Sequence, residues 1–311
     1  MKILITDLDN TLYDWVTFFS QAFKAMVTEL STLLNVPEEQ LLDEFRNLHR
    51  DCGNSEQPFT AIRLPSVIKQ FGNLTRNELK TKLDRAFHVF NSTREKKLCL
   101  YSGVNETLSN LYKRGVVIIG FTEAIAINGY YRLERLQIHH FFKTLYALKG
   151  NYEGYPGPKP EMILNPPANF IKLIPDSNRK PDPLILLAIC KEEGIDPADA
   201  WYVGDSLTKD ILMAQQAGIK SIWAKYGTEY DKKSWEILKR ITHWSEVDVL
   251  REEQLEERSR NVKPDYTINS FEEVERIIHS GLAQDSQIKT NFHPKLTTSN
   301  PLPAFTTCAK F

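Results

Sequence analysis

The sequence predicts an α/β fold: a parallel sheet with crossover helices, interrupted near its start by an all-helical insertion. Three observations predict it. Ile3, Leu4 and Ile5 form a short apolar run ending at Asp7, as expected of a strand buried on both faces. Residues 15 to 97 then carry only helical spacing and loops. After Leu98, apolar runs and helical patterns alternate, which is the signature of parallel strands joined by crossover helices. The sheet domain is therefore discontinuous, with 1–14 and 98–281 forming the core, 15–97 the insertion and 282–311 a flexible tail.

Each element has its own signal. From Trp15 to Leu34 the apolar residues Phe18, Phe19, Ala22, Phe23, Met26, Val27 and Leu30 recur at helical spacing. Further helical patterns cover Pro37 to Arg50 and Ser66 to Phe71, and Thr75 with Glu78 forms a capping box that opens another. A helix over 104–114 stops at Gly115, an apolar strand runs from Val116 to Phe121, and a helix follows from about Ala124 to Leu136. The alternation resumes with a helix from Pro183 to Glu193, a strand Trp201 to Val203, a helix Leu207 to Ala217 and a strand Ser221 to Ala224. Seven prolines between 150 and 181 indicate a surface excursion with a hairpin. The charged stretch 228–263, with sparse anchors such as Trp235 and Leu238, suits surface helices.

Composition narrows the function classes. The 311 residues are 41% hydrophobic and 25% charged, ordinary globular usage and enough for two modest domains at roughly 150 residues each. Thirty-nine Lys and Arg against 40 Asp and Glu leave a net charge of -1, without the basic footprint of a nucleic-acid polymer binder. The four cysteines are far apart and form no CxxC pair, so they read as reduced thiols. No signal-peptide pattern and no run of about 18 apolar residues is present, so a cytoplasmic location without membrane contact is expected.

Chemistry concentrates at strand ends. Asp7, Asp9 and Thr11 occupy the loop after the first strand, where open α/β sheets bind ligands. A second acidic pair, Asp205 and Asp210, lies where a later strand enters a helix. Carboxylates from two such loops suit a hard cation such as Mg2+, which takes oxygen ligands and needs neither His nor Cys. Thr122 follows the 116–121 strand and Lys180 precedes Pro181 at the start of a helix, adding a hydroxyl and an ammonium. Acids, a hydroxyl and an ammonium along one sheet edge are what phosphoryl transfer needs.

These residues resemble the motifs of the haloacid dehalogenase-like (HAD) hydrolase superfamily. Asp7-Leu8-Asp9-Asn10-Thr11 matches its Asp-x-Asp-x-Thr, Thr122 its second-motif hydroxyl, Lys180 its lysine, and Gly204 to Asp210 its Gly-Asp-x-x-x-x-Asp. The resemblance spans 1 to about 280 and implies a Rossmann-like core with a small helical cap. Two features depart from it: Glu123 stands where a small or amide residue is common, and Lys180 lies 58 positions after Thr122, a long spacing for the family. The former is expected to repel a substrate anion and the latter to alter access.

The resemblance implies that Asp7 is the nucleophile, forming an aspartyl phosphate, and that Asp9 is the general acid and base. It places Mg2+ on Asp7, the Asp9 carbonyl, Asp205 and Asp210, with Asp210 alternatively orienting Lys180. Thr11, Thr122 and Lys180 would bind the phosphoryl group. A second acid at position 9 favours phosphate chemistry over carbon–halogen hydrolysis, and a small phosphorylated metabolite is the expected substrate. Tyr13 after Thr11-Leu12 has the look of nucleotidases. A phosphotransferase or mutase would use the same core, and a non-enzymatic regulator with this fold is the alternative from another class. The polar loop from His49 to Arg63, with Arg50, Gln57 and Arg63, is a candidate for specificity, with a solvated polar surface as the favoured alternative. Nothing in the sequence sets the oligomeric state.

Overall fold

β1 (Ile3–Thr6) lies at the centre of a seven-stranded sheet in which every pairing is parallel. On one side it is followed by β2 (Val117–Ile125), β3 (Thr144–Leu148) and β4 (Ile171–Ile174). On the other lie β5 (Ala200–Gly204), β6 (Lys220–Ala224) and β7 (Tyr266–Ile268). The computed structural model describes residues 2–150, 164–175, 178–243 and 261–280, with isolated positions 250, 254 and 257. Because the strand order reverses at β1, the crevice beyond its carboxyl end is the topological switch point where such sheets bind ligands.

The insertion is helical, as its periodicity predicts. It holds α1 (Trp15–Leu34), α2 (Glu38–Cys52), a 3-10 turn (Pro58–Arg63), α3 (Pro65–Phe71) and α4 (Arg76–Lys97). Asp14 caps α1 by accepting from the Thr17 N–H at 2.8 Å, and Thr75 with Glu78 makes the expected capping box of α4. Phe23, Met26, Val27 and Leu30 of α1 are fully buried together with Phe45 of α2 and Phe87 of α4. Truncating one of these rings to Ala is expected to cost about 3–5 kcal/mol.

The core strands pack on α5 (Val104–Lys113), α6 (Ala126–Arg135), α7 (Pro183–Glu193) and α8 (Leu212–Gln216), the last entered through a π-helical turn at Leu207–Ile211. A separate cluster on one sheet face joins Ile3, Ile5, Phe121 and Tyr202 to Leu186, Ile189 and Met213. α9 (Lys232–Ile241) comes from the predicted surface stretch, yet it buries Leu238 and Ile241 and lies against α1 and α2. Its end is tied to the insertion by Ile241, whose carbonyl oxygen lies 2.8 Å from His49 Nδ1.

Several sequence expectations are corrected. The strand predicted at 116–121 runs from Val117 to Ile125, so Thr122 lies inside it and α6 begins two residues later than expected. Its register with β3 shifts between Phe121 and Ile125, an irregularity of the kind that bends a strand, and pairing resumes at Ile125 with Leu148. Part of the Pro-rich excursion is the edge strand β4, paired parallel to β3, and no hairpin forms among the described residues of the excursion. Pro175 ends it, as proline tolerates a sheet only at its margins. Positions 151–163, 176–177 and the tail past Gly281 lie outside the described residues. Strands β3, β4 and β7 had no clear alternation to reveal them. Among the described residues no helix is long and apolar enough to cross a membrane.

Candidate active site

β1 hands the chain to a loop that starts with Asp7, whose N–H still donates to the Val203 carbonyl at 2.9 Å and so fixes its backbone to β5. The turn depends on Asn10, which takes a left-handed φ of 58°, a conformation asparagine tolerates. Its Oδ1 accepts from the N–H groups of Trp15 at 3.1 Å and Val16 at 3.3 Å, joining this loop to the start of α1. Thr11 is fully buried, and its hydroxyl donates to Asp7 Oδ2 at 3.4 Å.

The second acidic loop is built with equal economy. Asp210 Oδ1 accepts from the Tyr202 hydroxyl at 2.8 Å, and Oδ2 accepts from the Ser206 N–H at 3.0 Å. Gly204 permits this: a Cβ there would lie 2.4 Å from Asp210 Cγ. Lys180, at the loop before α7, directs Nζ between the two acidic loops and pairs with Asp7 and, at 2.7 Å, with Asp210. Its ammonium also lies 5.1 Å from the centre of the Phe121 ring.

Asp7, Asp205 and Asp210 each offer an oxygen, all within 4.8 Å of one another. One ammonium faces these three carboxylates. Burial pushes Asp7 up to about 8, opposed by Lys180 and reinforced by Asp210 and Asp9. Burial, then Asp210 and Asp7, likewise push Asp205 well above the usual carboxylate range. For Lys180 burial works downward, but Asp210 and Asp7 prevail and hold it well above its ordinary value. A buried, oxygen-only site with surplus negative charge is the donor set that a magnesium ion fits.

Asp9 leads to a second cluster. Arg132 on α6 donates through Nη1 to Asp9 Oδ1 at 2.8 Å and through Nη2 to Glu56 Oε1. Burial raises Asp9 above its usual range, Arg132 opposes this, and Glu56 adds to it. Glu56 belongs to the insertion, so this chain of ion pairs crosses from the sheet to the helical block.

The expected site residues therefore meet, with differences. Asp7, Thr11, Lys180, Asp205 and Asp210 surround one point. Thr122 lies two residues past Gly120, the register partner of Thr6, and its Oγ1 accepts from the Ala124 N–H at 3.0 Å, leaving its proton to donate. Glu123 is ion-paired with Lys209 at 3.6 Å and accepts from the Lys180 N–H, so its charge is engaged by the protein itself. In the candidate specificity loop, His49 and Arg50 belong to α2, Gln57 is buried and Arg63 is exposed at the end of the 3-10 turn. Glu56, which the sequence reading passed over, is the residue of that loop that reaches the site. Arg132 and Tyr202 were also missed. Tyr130-Tyr131-Arg132-Leu133 reads as an ordinary helix face, and Tyr202 as plain strand; only their placement beside carboxylates marks them.

The sequence pattern described as haloacid dehalogenase-like hydrolase matches residues 4–166, more than half of the chain. This chain belongs to the haloacid dehalogenase-like hydrolases. A second HAD-hydrolase-like pattern matches residues 177–274 and carries the Lys180 and Asp205 to Asp210 segments. A glyceraldehyde 3-phosphate phosphatase of Methanopyrus kandleri is 25% identical over 74% of this chain and 87% of its own length. A phosphoglycolate phosphatase of Psychrobacter arcticus is 29% identical over 74% of this chain and 85% of its own length. The HAD fold is seen in a 2-haloacid dehalogenase of Pseudomonas syringae, with TM-score 0.52 and 22% identity over 90% of this chain and all of that one.

Proposed function

We propose that this HAD-family chain is a phosphatase that hydrolyses phosphate monoesters of a small metabolite, with Mg2+ and through an aspartyl phosphate on Asp7. The observation that carries this reading is the convergence of Asp7, Lys180, Asp205 and Asp210 beyond the carboxyl ends of β1 and β5. The names of the relatives support a two- or three-carbon phosphate as substrate.

Asp7 attacks phosphorus with one oxygen while the Thr11 hydroxyl holds the other. Asp7, Asp205 and the Asp9 carbonyl would hold the magnesium ion, with Asp210 beside them, and a bound ion would supply positive charge against the clustered carboxylates and the phosphoryl oxygens. Asp210 already accepts from Tyr202, Ser206 and Lys180, so its main work is to aim the ammonium. Lys180 and Thr122 stabilise charge on the phosphoryl oxygens. Asp9 gives a proton to the departing oxygen and later takes one from water. Residues 15–97 form the cap that excludes water, over a core of 1–14 and 98–281.

The test is phosphate release from phosphoglycolate, glyceraldehyde 3-phosphate and a nucleoside monophosphate, with Mg2+ and with excess chelator. Release that needs the metal and vanishes in Asp7→Asn is expected. Equal release under chelation would sink the metal assignment, and transfer of the phosphoryl group to a second sugar phosphate in place of water would make the protein a mutase.

A further inference from the structure

Glu56 reaches the site through Arg132, and its carboxylate receives donors from three side chains on α1 and α6. Trp15 Nε1, at the first turn of α1, donates to its Oε1 at 2.5 Å. Asn128 Nδ2 on α6 donates to its Oε2 at 2.6 Å. Arg132, one turn further along the same helix, donates to Oε1 as well. The Glu56 side chain is 11% exposed and that of Arg132 only 4%. Its own backbone N–H donates to Asn54 Oδ1 at 2.6 Å, so the loop that presents it is also held.

A guanidinium is a rigid fork, and where one prong points is set by what holds the other. Arg132 uses Nη1 on Asp9 and Nη2 on Glu56, with its charge 5.4 Å from the centre of the Phe18 ring. We propose that Glu56 is a positioning residue for the leaving-group proton donor: it orients Arg132, and Arg132 fixes Asp9. The consequence is that Asp9 is held in its working place only when the helical block is seated on α6. Seating of the insertion and readiness of the proton donor become one event. This rests on the reading of Asp9 as general acid given above.

The test compares Glu56→Gln, Glu56→Ala and Arg132→Lys with the wild type on p-nitrophenyl phosphate and on an unactivated alkyl phosphate. The readout is kcat/KM, which reports steps up to departure of the first leaving group. An alkoxide needs the proton and a nitrophenolate hardly does. The aryl-to-alkyl ratio of kcat/KM is therefore expected to rise about tenfold or more in Glu56→Ala, the low end of what general acid help supplies. Glu56→Gln, which can still accept from Trp15 and Asn128, is expected to show a smaller rise, and it serves where the alanine variant fails to fold. A fall by the same factor on both esters would overturn the proposal and leave Glu56 a structural residue. Wild-type protein inactive on both esters would overturn the proposed function itself, and this inference with it.

Discussion

Glu123 accepts a hydrogen bond from the backbone N–H of Lys180 at 3.2 Å, joining β2 to the loop that carries the ammonium paired with Asp7 and Asp210. A residue that departs from its family's pattern at that position thus acts as a brace. Lys209, at 3.6 Å, offsets its charge.

Replacing Glu123 with Ala removes the partly buried, charge-assisted acceptor that Glu123 offers the Lys180 N–H. A loss of about 1–2 kcal/mol of stability is expected, with kcat falling more than KM rises, since Lys180 loses its aim. Glu123→Gln keeps an acceptor oxygen and is expected to retain most of both. Denaturant melts and steady-state kinetics check this; equal damage from Gln and Ala would mean that the charge, and not the hydrogen bond, matters.

Gly204→Ala is expected to disarm the site without touching a reacting group. The new Cβ would meet Asp210 Cγ at 2.4 Å, so Asp210 must shift and give up Tyr202, the Ser206 N–H or Lys180. Overpacking of this kind typically costs about 1–3 kcal/mol. A variant with wild-type kcat and unchanged melting would show that the loop moves freely, against this account.

His49 gives stability a pH dependence of definite sign. Burial beside Phe23 and Phe45 pushes it down to about 4 from an ordinary 6.5, so it is neutral in the fold, and Nδ1 donates to the Ile241 carbonyl. Unfolded chains bind the proton first as the pH drops. The favourable contribution is complete above 6.5 and is lost as pH falls from 6.5 to about 4, by about 3 kcal/mol at most. Urea melts of wild type and His49→Leu, taken at steps across that window, should show a stability difference that shifts in favour of the variant toward acid. A difference that stays constant would refute the assignment.

Asp9→Asn separates the two halves of the reaction. With an alkyl phosphate, turnover should fall by about 10² to 10⁴, the usual worth of general acid-base help. With an activated aryl phosphate the leaving group needs little protonation, so a burst of phenol should precede slow turnover. Equal impairment of burst and steady state would move the acid-base role elsewhere.

By itself the sequence determined the elements that declare themselves locally. The α1 helix is legible because Phe18, Phe19, Ala22, Phe23, Met26, Val27 and Leu30 recur on one face, and the Asp7 and Asp205 loops because short acidic spacings at strand ends have few other uses. Strands β4 and β7 escaped because four or three residues at a sheet edge carry too little pattern, and their identity comes from pairing with neighbours. Arg132, Glu56 and Tyr202 were silent for a different reason. Each is ordinary in its own helix, loop or strand, and each gains its role from a charged partner that folding sets beside it: Arg132 from Asp9, 123 residues away, Glu56 from Arg132, 76 residues away, and Tyr202 from Asp210 in the loop beyond its own strand. Even α9 looked like a solvated surface until folding set its apolar side on α1 and α2. Periodicity and motif spacing are properties of a segment, whereas the partner of a buried charge is chosen by the low-dielectric interior that the whole fold creates.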